Sequence, residues 1–404
     1  MKSFALPFSL KSMPVVVLFV GASLFLSAQT TPSTPPRAYP ALTQASFKPD
    51  PHDALREQAM LPTLYSSSHG SQLLRLRNGD VLCFWFSGSN EGDANVGIVS
   101  ARLKRGSDHW EAAQLIDRTP QKSYQNPVGY EAADGTLIVY HSSQSAGKGQ
   151  ADAVVLRNLS HDGGRSWSAS EPVFTKAGAF TRQPLVGRGD GAQLLPIFYS
   201  TVGGITEGAE TNYSAVEVSR DEGKSWQECL MAGSEGLVHP ALVPAGKAGY
   251  LAFFRSRYAD HIFRATSADG CHWSHPVATA LPNNNASIGV IRLRNNDLAM
   301  VFNNTSGHDP RHISQMGKRA PLSIALSSDN GLSWRAVRDL EVPDAQLPEG
   351  EKPSGIEEYS YPSLRQMEDG RLLICYTYRR LTIKSLLIDE AWVRKGSTVG
   401  EYKP

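Results

Sequence analysis

Net charge is nearly absent from this chain: 40 Lys and Arg stand against 39 Asp and Glu, a formal charge of +1 over 404 residues. Without a basic excess there is no electrostatic footprint for a polyanion, so nucleic acid is not an expected partner. Long apolar runs are scarce as well. The one that stands out, Met13 to Leu26, falls short of the roughly 20 residues needed to span a bilayer. It follows Lys2 and Lys11 and ends in Ser27 and Ala28, the pattern of a secretory signal peptide cleaved after Ala28. Residues 1–28 are therefore expected to be removed, 29–44 (TTPSTPP and its flanks) to form a linker, and 45–404 to fold, in an exported protein with no stable membrane anchor. No cysteine adjoins the cleavage site, so a lipid-anchored terminus is not expected either.

Cysteine is limited to four residues, none with metal-ligand spacing. The 11 histidines do not fall in ligand-spaced pairs, and no Asp-rich calcium loop is present, so no metal or other cofactor is expected. Cys83 and Cys375 sit in apolar strand patterns, VLCFWF and LLICYTY, which predicts buried thiols. Cys271 lies within possible reach of Cys229; the sequence leaves that pairing open.

Turn-formers, by contrast, are plentiful: 35 Gly and 25 Pro in a chain that is 41% hydrophobic suit a large all-β domain. One short motif recurs four times, as SHDGGRSW (Ser160 to Trp167), SRDEGKSW (Ser219 to Trp226), SADGCHW (Ser267 to Trp273) and SSDNGLSW (Ser327 to Trp334), with a degenerate copy at RGSDHW (Arg105 to Trp110). A repeat of this period marks an array of equivalent supersecondary units. Within each copy the Asp carboxylate can accept backbone N–H groups across a tight turn, Gly supplies positive φ, and Trp packs as a plug. Asp162, Asp221, Asp269 and Asp329 are accordingly read as structural, because one active site cannot use the same corner of four units.

A second repeat, a strand opening followed by a hairpin and an apolar strand, starts at Ser68, Gln125, Arg182, His239, Asn284 and Tyr361. Six four-stranded units of about 55 residues predict a six-bladed β-propeller. Residues at these openings, and at the ends of the strands that follow, converge on one face of the central channel. The converging set comprises His69, Glu91, Asp93, Asn126, Arg182, His239, Arg255, Asn283, Asn285, Asn303, Tyr359, Tyr361, Arg379 and Arg380. Of Arg379 and Arg380, one alone is expected to point inward.

The Ser-x-Asp-x-Gly-x-x-Trp repeats resemble the Asp-box of the sialidase superfamily. FWFSGSNEGDANVGIVSARL, LPNNNASIGVIRL, RAPLSIALSSDNGLSW and EYSYPSLRQMEDGRLLICYTYRRLTIK extend the likeness, to the bacterial sialidase-like branch with BNR repeats, over nearly the whole mature chain. The resemblance implies an exo-acting glycoside hydrolase of sialidase type that cleaves a terminal sialic acid or related acidic sugar from a glycan. In that family a neutral Tyr attacks, because the carboxylate on the anomeric carbon would repel an anionic nucleophile. An Asp on a first-blade loop serves as acid and base, and three arginines clamp the carboxylate.

Carried over, the pattern makes Tyr361 the nucleophile, Asp93 the acid/base with Glu91 its competitor, and Arg255 one clamp arginine. The departures are a first-blade opening with His69 in place of arginine, Asn303 near the fifth-blade clamp position with Arg311 and Arg319 as alternatives, and His239 where the family has a Glu. Arg379, Arg380 and Arg182 are the compensating cations; Asn126, Asn285 and Tyr359 complete the expected substrate-binding set. His239 is expected to assist Tyr361, giving an acidic limb with an apparent pKa around 6 to 7, and Glu357 and Glu358 are its alternatives. Another uronate-containing glycan as substrate, or a non-catalytic glycan-binding propeller, remain the competing readings.

Overall fold

The computed structural model describes residues 45–202, 208–307, 318–347 and 356–395. The expected signal peptide, the linker and Arg311 lie outside the described residues. The described residues form six antiparallel sheets arranged as the blades of a β-propeller.

Blade one comprises Ser67–Arg75, Val81–Gly88, Gly97–Leu103 and Gln114–Asp117; blade two Lys122–Glu131, Leu137–Ser145, Val154–Ser160 and Glu171–Phe174. Blade three begins with an interrupted strand, Ala179–Thr181 and Val186–Gly187, and continues through Gln193–Tyr199, Tyr213–Ser219 and Gln227–Leu230. Blade four is Leu237–Pro244, Tyr250–Ser256, His261–Ser267 and Val277–Pro282; blade five is Gly289–Arg292, Leu298–Asn303, Leu322–Ser327 and Ala336–Glu341. Blade six takes Tyr359–Gln366, Leu372–Tyr378 and Thr382–Ile388 from the C-terminal part and borrows Asp53–Met60 as its fourth strand, with Lys48–Asp50 outside it. Glu57 pairs with Leu387 and Met60 with Lys384 in that borrowed strand, which closes the ring.

The core lies in the seams between blades. Leu73, Cys83, Trp85, Leu373 and Cys375 fill the seam of blades one and six; Val128, Tyr140, Leu195 and Ile197 fill that of blades two and three. Each fully buried Leu, Ile, Val or Phe contributes about 1.5–3 kcal/mol. Cys83 and Cys375 are buried free thiols, as expected, while Cys229 and Cys271 form a disulfide tying the last strand of blade three to the turn of blade four.

The repeated motif closes the third and fourth strands of its blade. Asp162 accepts from the backbone N–H groups of Arg165 and Ser166 (both 2.9 Å) and from the Ser166 hydroxyl (2.6 Å). Asp221, Asp269 and Asp329 repeat the arrangement, and each motif Ser accepts the N–H of its Gly at 2.8–2.9 Å. These bonds hold Asp221 and Asp329 down at about 2. They are structural. The Trp side chains do more than plug their own turns, because each reaches the preceding blade. Trp167 meets Phe84 of blade one, Trp226 meets Tyr140 of blade two, and Trp334 meets Phe253 of blade four, all edge-on. Trp110 of the degenerate copy donates to Ser385 of blade six (3.0 Å). At the seam of blades five and six the place is taken by Trp392, on the helix Glu390–Lys395, against which the Arg338 guanidinium stacks at 3.6 Å.

Candidate active site

A repeated distortion of the innermost strands aims side chains at the channel. Blades one, two, four and six carry a register shift there, and the residue within it has positive φ: Gly70 (74°), Asn126 (52°), His239 (54°) and Tyr361 (52°). Asn285 (60°) occupies the corresponding place before the first strand of blade five. Left-handed backbone at a bulky residue is strained by roughly 1–3 kcal/mol and persists where the surroundings hold it, commonly at functional sites. Here the bulges turn Asn126, His239 and Tyr361 into one cavity of about 220 Å³, which Glu91, Gln150, Arg255, Arg257, Arg319 and Arg380 also line.

Tyr361 is at its centre. Arg255 donates from Nη1 to the phenolic oxygen at 2.6 Å and is itself oriented by Nε donating to Asn285 Oδ1 (2.8 Å). Burial opposes ionisation of the phenol, but the Arg255, Arg319 and Arg257 guanidiniums outweigh it and hold its pKa below 10.0. Behind the ring, Arg182 stacks with its guanidinium carbon 4.9 Å from the centroid, and His69 packs at 4.1 Å between ring centroids. Glu358 organises the far side. It accepts from Arg319 (2.5 Å), Arg380 (2.9 Å) and the Ser360 hydroxyl (2.7 Å), and although burial works against its charge, Arg319 and Arg380 bring it down to about 2. Arg380 also donates to Glu91 at 2.7 Å.

Seven of the thirteen residues proposed from sequence surround this cavity or hold its members: Tyr361, Glu91, His239, Arg255, Arg380, Asn126 and Asn285. The other six are placed differently. Asp93 does not line the cavity; its carboxylate accepts from Ser89 (2.5 Å) and Asn90 (3.4 Å) within its own loop. Arg379 turns away and forks onto Asp344 (2.9 and 3.0 Å), to which Tyr359 also donates, so neither faces the cavity. Arg379 and Arg380 occupy the two centres of a tight turn, both at positive φ, and that geometry rather than strand alternation sends them apart. Asn303 donates to the carbonyls of Pro321 and Tyr359 and joins blades five and six. Arg182 gives its donors to Ser287 and to the backbone of Ser71 and Pro362, and His69 bonds to Thr377 (2.8 Å), so both support Tyr361 from beneath.

The acidic limb expected from His239 changes. Burial, then Arg255, Arg182 and Arg257, hold its imidazole well below 6.5, and its ring centroid is 5.7 Å from that of Tyr361. A group so placed is neutral across the physiological range and gives no limb near 6 to 7. Glu358 is committed to arginines, and Glu357 accepts from the Asp344 backbone N–H at 2.5 Å. The residues that sequence reasoning missed are Arg257, Gln150 and Phe198; Arg257 sits two places after Arg255 in FRSR, a spacing that alternation along a strand would have flagged.

These blades form a sialidase-like β-propeller. The family model for the BNR repeat-like domain matches residues 79–374, and the chain belongs to that family. A search of curated proteins finds no match. Among solved structures, a Hadza microbial sialidase shares 14% identity at a TM-score of 0.62 over 81% of this chain, which spans 66% of that protein's length. A protein of unknown function from Dyadobacter fermentans shares 16% at 0.62, over 86% of this chain and 99% of that one. The leech intramolecular trans-sialidase shares 11% at 0.64, over 82% and 69%. The sialidase-like fold supports a glycoside hydrolase-type or glycan-binding function.

Proposed function

We propose that the chain is an exported retaining glycoside hydrolase of sialidase type, acting on a terminal sialic acid or related acidic sugar of a glycan. The observation that carries this reading is the buried phenol of Tyr361, 2.6 Å from the Arg255 guanidinium, with its pKa held below the ordinary value. In the proposed reaction the Tyr361 oxygen, as the phenolate that Arg255 stabilises, bonds to the anomeric carbon as the aglycone leaves, and Glu91, on the cavity wall and entering as the protonated acid, gives its proton to the leaving oxygen. Water then attacks with Glu91 as base, and Tyr361 departs as a phenolate stabilised by Arg255. The substrate carboxylate falls to Arg255 and Arg319, since a planar guanidinium pairs bidentately with it. No cofactor takes part.

A slow-leaving fluorinated glycosyl fluoride, followed by mass spectrometry of the intact protein, tests the assignment. A stoichiometric adduct on Tyr361 is expected, and Tyr361→Phe should abolish it. An inverted anomeric product would remove Tyr361 as nucleophile. A second reading, a uronate-containing glycan as substrate, is favoured by His69 standing where the family's first-blade arginine belongs and by Arg380 entering from blade six instead.

A further inference from the structure

The proposed reaction uses one anionic group on the sugar, yet the cavity offers two receivers. Arg257 follows the strand Tyr250–Ser256, its backbone N–H fixed to the Gly236 carbonyl at 2.8 Å. Its side chain is 1% exposed and lines the cavity beside Gln150, Phe198 and His239. Nη2 donates to Gln150 Oε1 at 3.4 Å, the guanidinium carbon lies 5.9 Å from the Phe198 ring centre, and Nε is buried without a partner. Among the described residues no carboxylate pairs with it. Arg380 and Arg319, by contrast, are held by Glu358, and Arg380 also by Glu91.

A buried guanidinium lacking a counter-ion is costly to the fold, and such a group persists where an anion arrives from solvent. Burial, then the neighbouring Arg255, pulls Arg257 down to about 9, which leaves it charged at neutral pH. A neutral carbonyl would satisfy one of its N–H groups and leave the charge uncompensated. An oxyanion answers both, and the planar donor fork of the guanidinium suits one.

Building on the hydrolase reading above, we propose that the cavity is a two-anion site. Arg255, with Arg319, receives the carboxylate at the reacting carbon, and Arg257, beside Gln150, receives a further oxyanion substituent of the same sugar, an O-sulfate ester or a second carboxylate. The substrate class is a doubly charged acidic sugar.

Calorimetric binding to the purified full chain compares a sialic or uronic acid with its mono-O-sulfated derivatives and with a derivative carrying a second carboxylate. A doubly charged ligand is expected to bind roughly tenfold or more tightly than its parent, and the arm that does so identifies the oxyanion. Arg257→Gln should bring that ratio to about one. Gln150→Glu, which sets a carboxylate beside the guanidinium, should do the same and keeps the test open if Arg257→Gln fails to fold. Equal affinities in the unaltered protein, or a ratio that survives in both variants, overturn the proposal. Binding requires no turnover. A preference that persists in a protein forming no glycosyl adduct would sink the nucleophile assignment and leave the two-anion site standing.

Discussion

At the scale of single residues, the two acids of the first-blade loop have different surroundings. Glu91 faces the cavity and Arg380, whereas Asp93 is tied to Ser89 and Asn90. Glu91→Gln is therefore expected to depress turnover most on substrates with poor leaving groups, and Asp93→Asn to act evenly through loop order; matched aryl and natural glycosides would read the difference. Equal losses on both substrates with Glu91→Gln would count against its role as acid. His239→Ala is expected to lower turnover without moving the pH–rate profile between pH 6 and 7, because the imidazole is already neutral there. A profile that shifts by half a unit or more would restore His239 as the base.

At the scale of elements, the strands and the four Asp turns were legible because hydrophobic alternation and Asp–Gly spacing are local signals. Blade openings at Gln125, His239 and Tyr361 were legible for the same reason. The positive-φ bulges were not, since Asn and His tolerate left-handed backbone without requiring it and Tyr gives no hint of it, and the Arg379–Arg380 turn lacks the Asn-Gly that such turns favour. Long-range charge pairing was equally hidden: Glu358 looked like a base beside Tyr361, while the fold gives it to Arg319 and Arg380. The Trp contacts give this scale its prediction. Trp226→Ala or Trp334→Ala should cost about 3 kcal/mol through the cavity left in a seam, measured by chemical denaturation, while kcat of the folded protein stays near its original value. Loss of turnover with unchanged stability would contradict the structural reading of the turns.

At the scale of the whole molecule, buried histidines set the pH response. Burial first, then nearby arginines for two of them, holds His69 and His239 well below 6.5, and burial holds His141 at about 4. Each is neutral in the fold and free to protonate when unfolded, so its contribution is intact above pH 6.5 and is lost as pH falls toward 4. The loss is about 1.4 kcal/mol per pH unit for each. Glu358, ionised in the fold down to about 2, adds loss in the same direction below 4.5. Glu217 acts oppositely: burial, then Glu228, raises it to about 7, so its contribution is lost as pH rises from 4.5 to 7. Three groups outweigh one, and the denaturation midpoint should fall steadily between pH 6.5 and 4.5; a flat or rising midpoint would refute this account.

The strand Asp53–Met60 carries one more implication, for the order in which the chain is made. Synthesis runs from the N-terminus, so this strand emerges before any blade, yet its partner Thr382–Ile388 comes after all the others. Throughout that interval it is an open edge, exposed to pairing with any neighbouring chain. Its sequence, DALREQAM, places Arg56 and Glu57 in mid-strand, and charges at an unpaired edge discourage such encounters. The segment that locks the finished ring, paired on one side with Lys48–Asp50, thus also carries charges that guard its other edge until the last strand arrives.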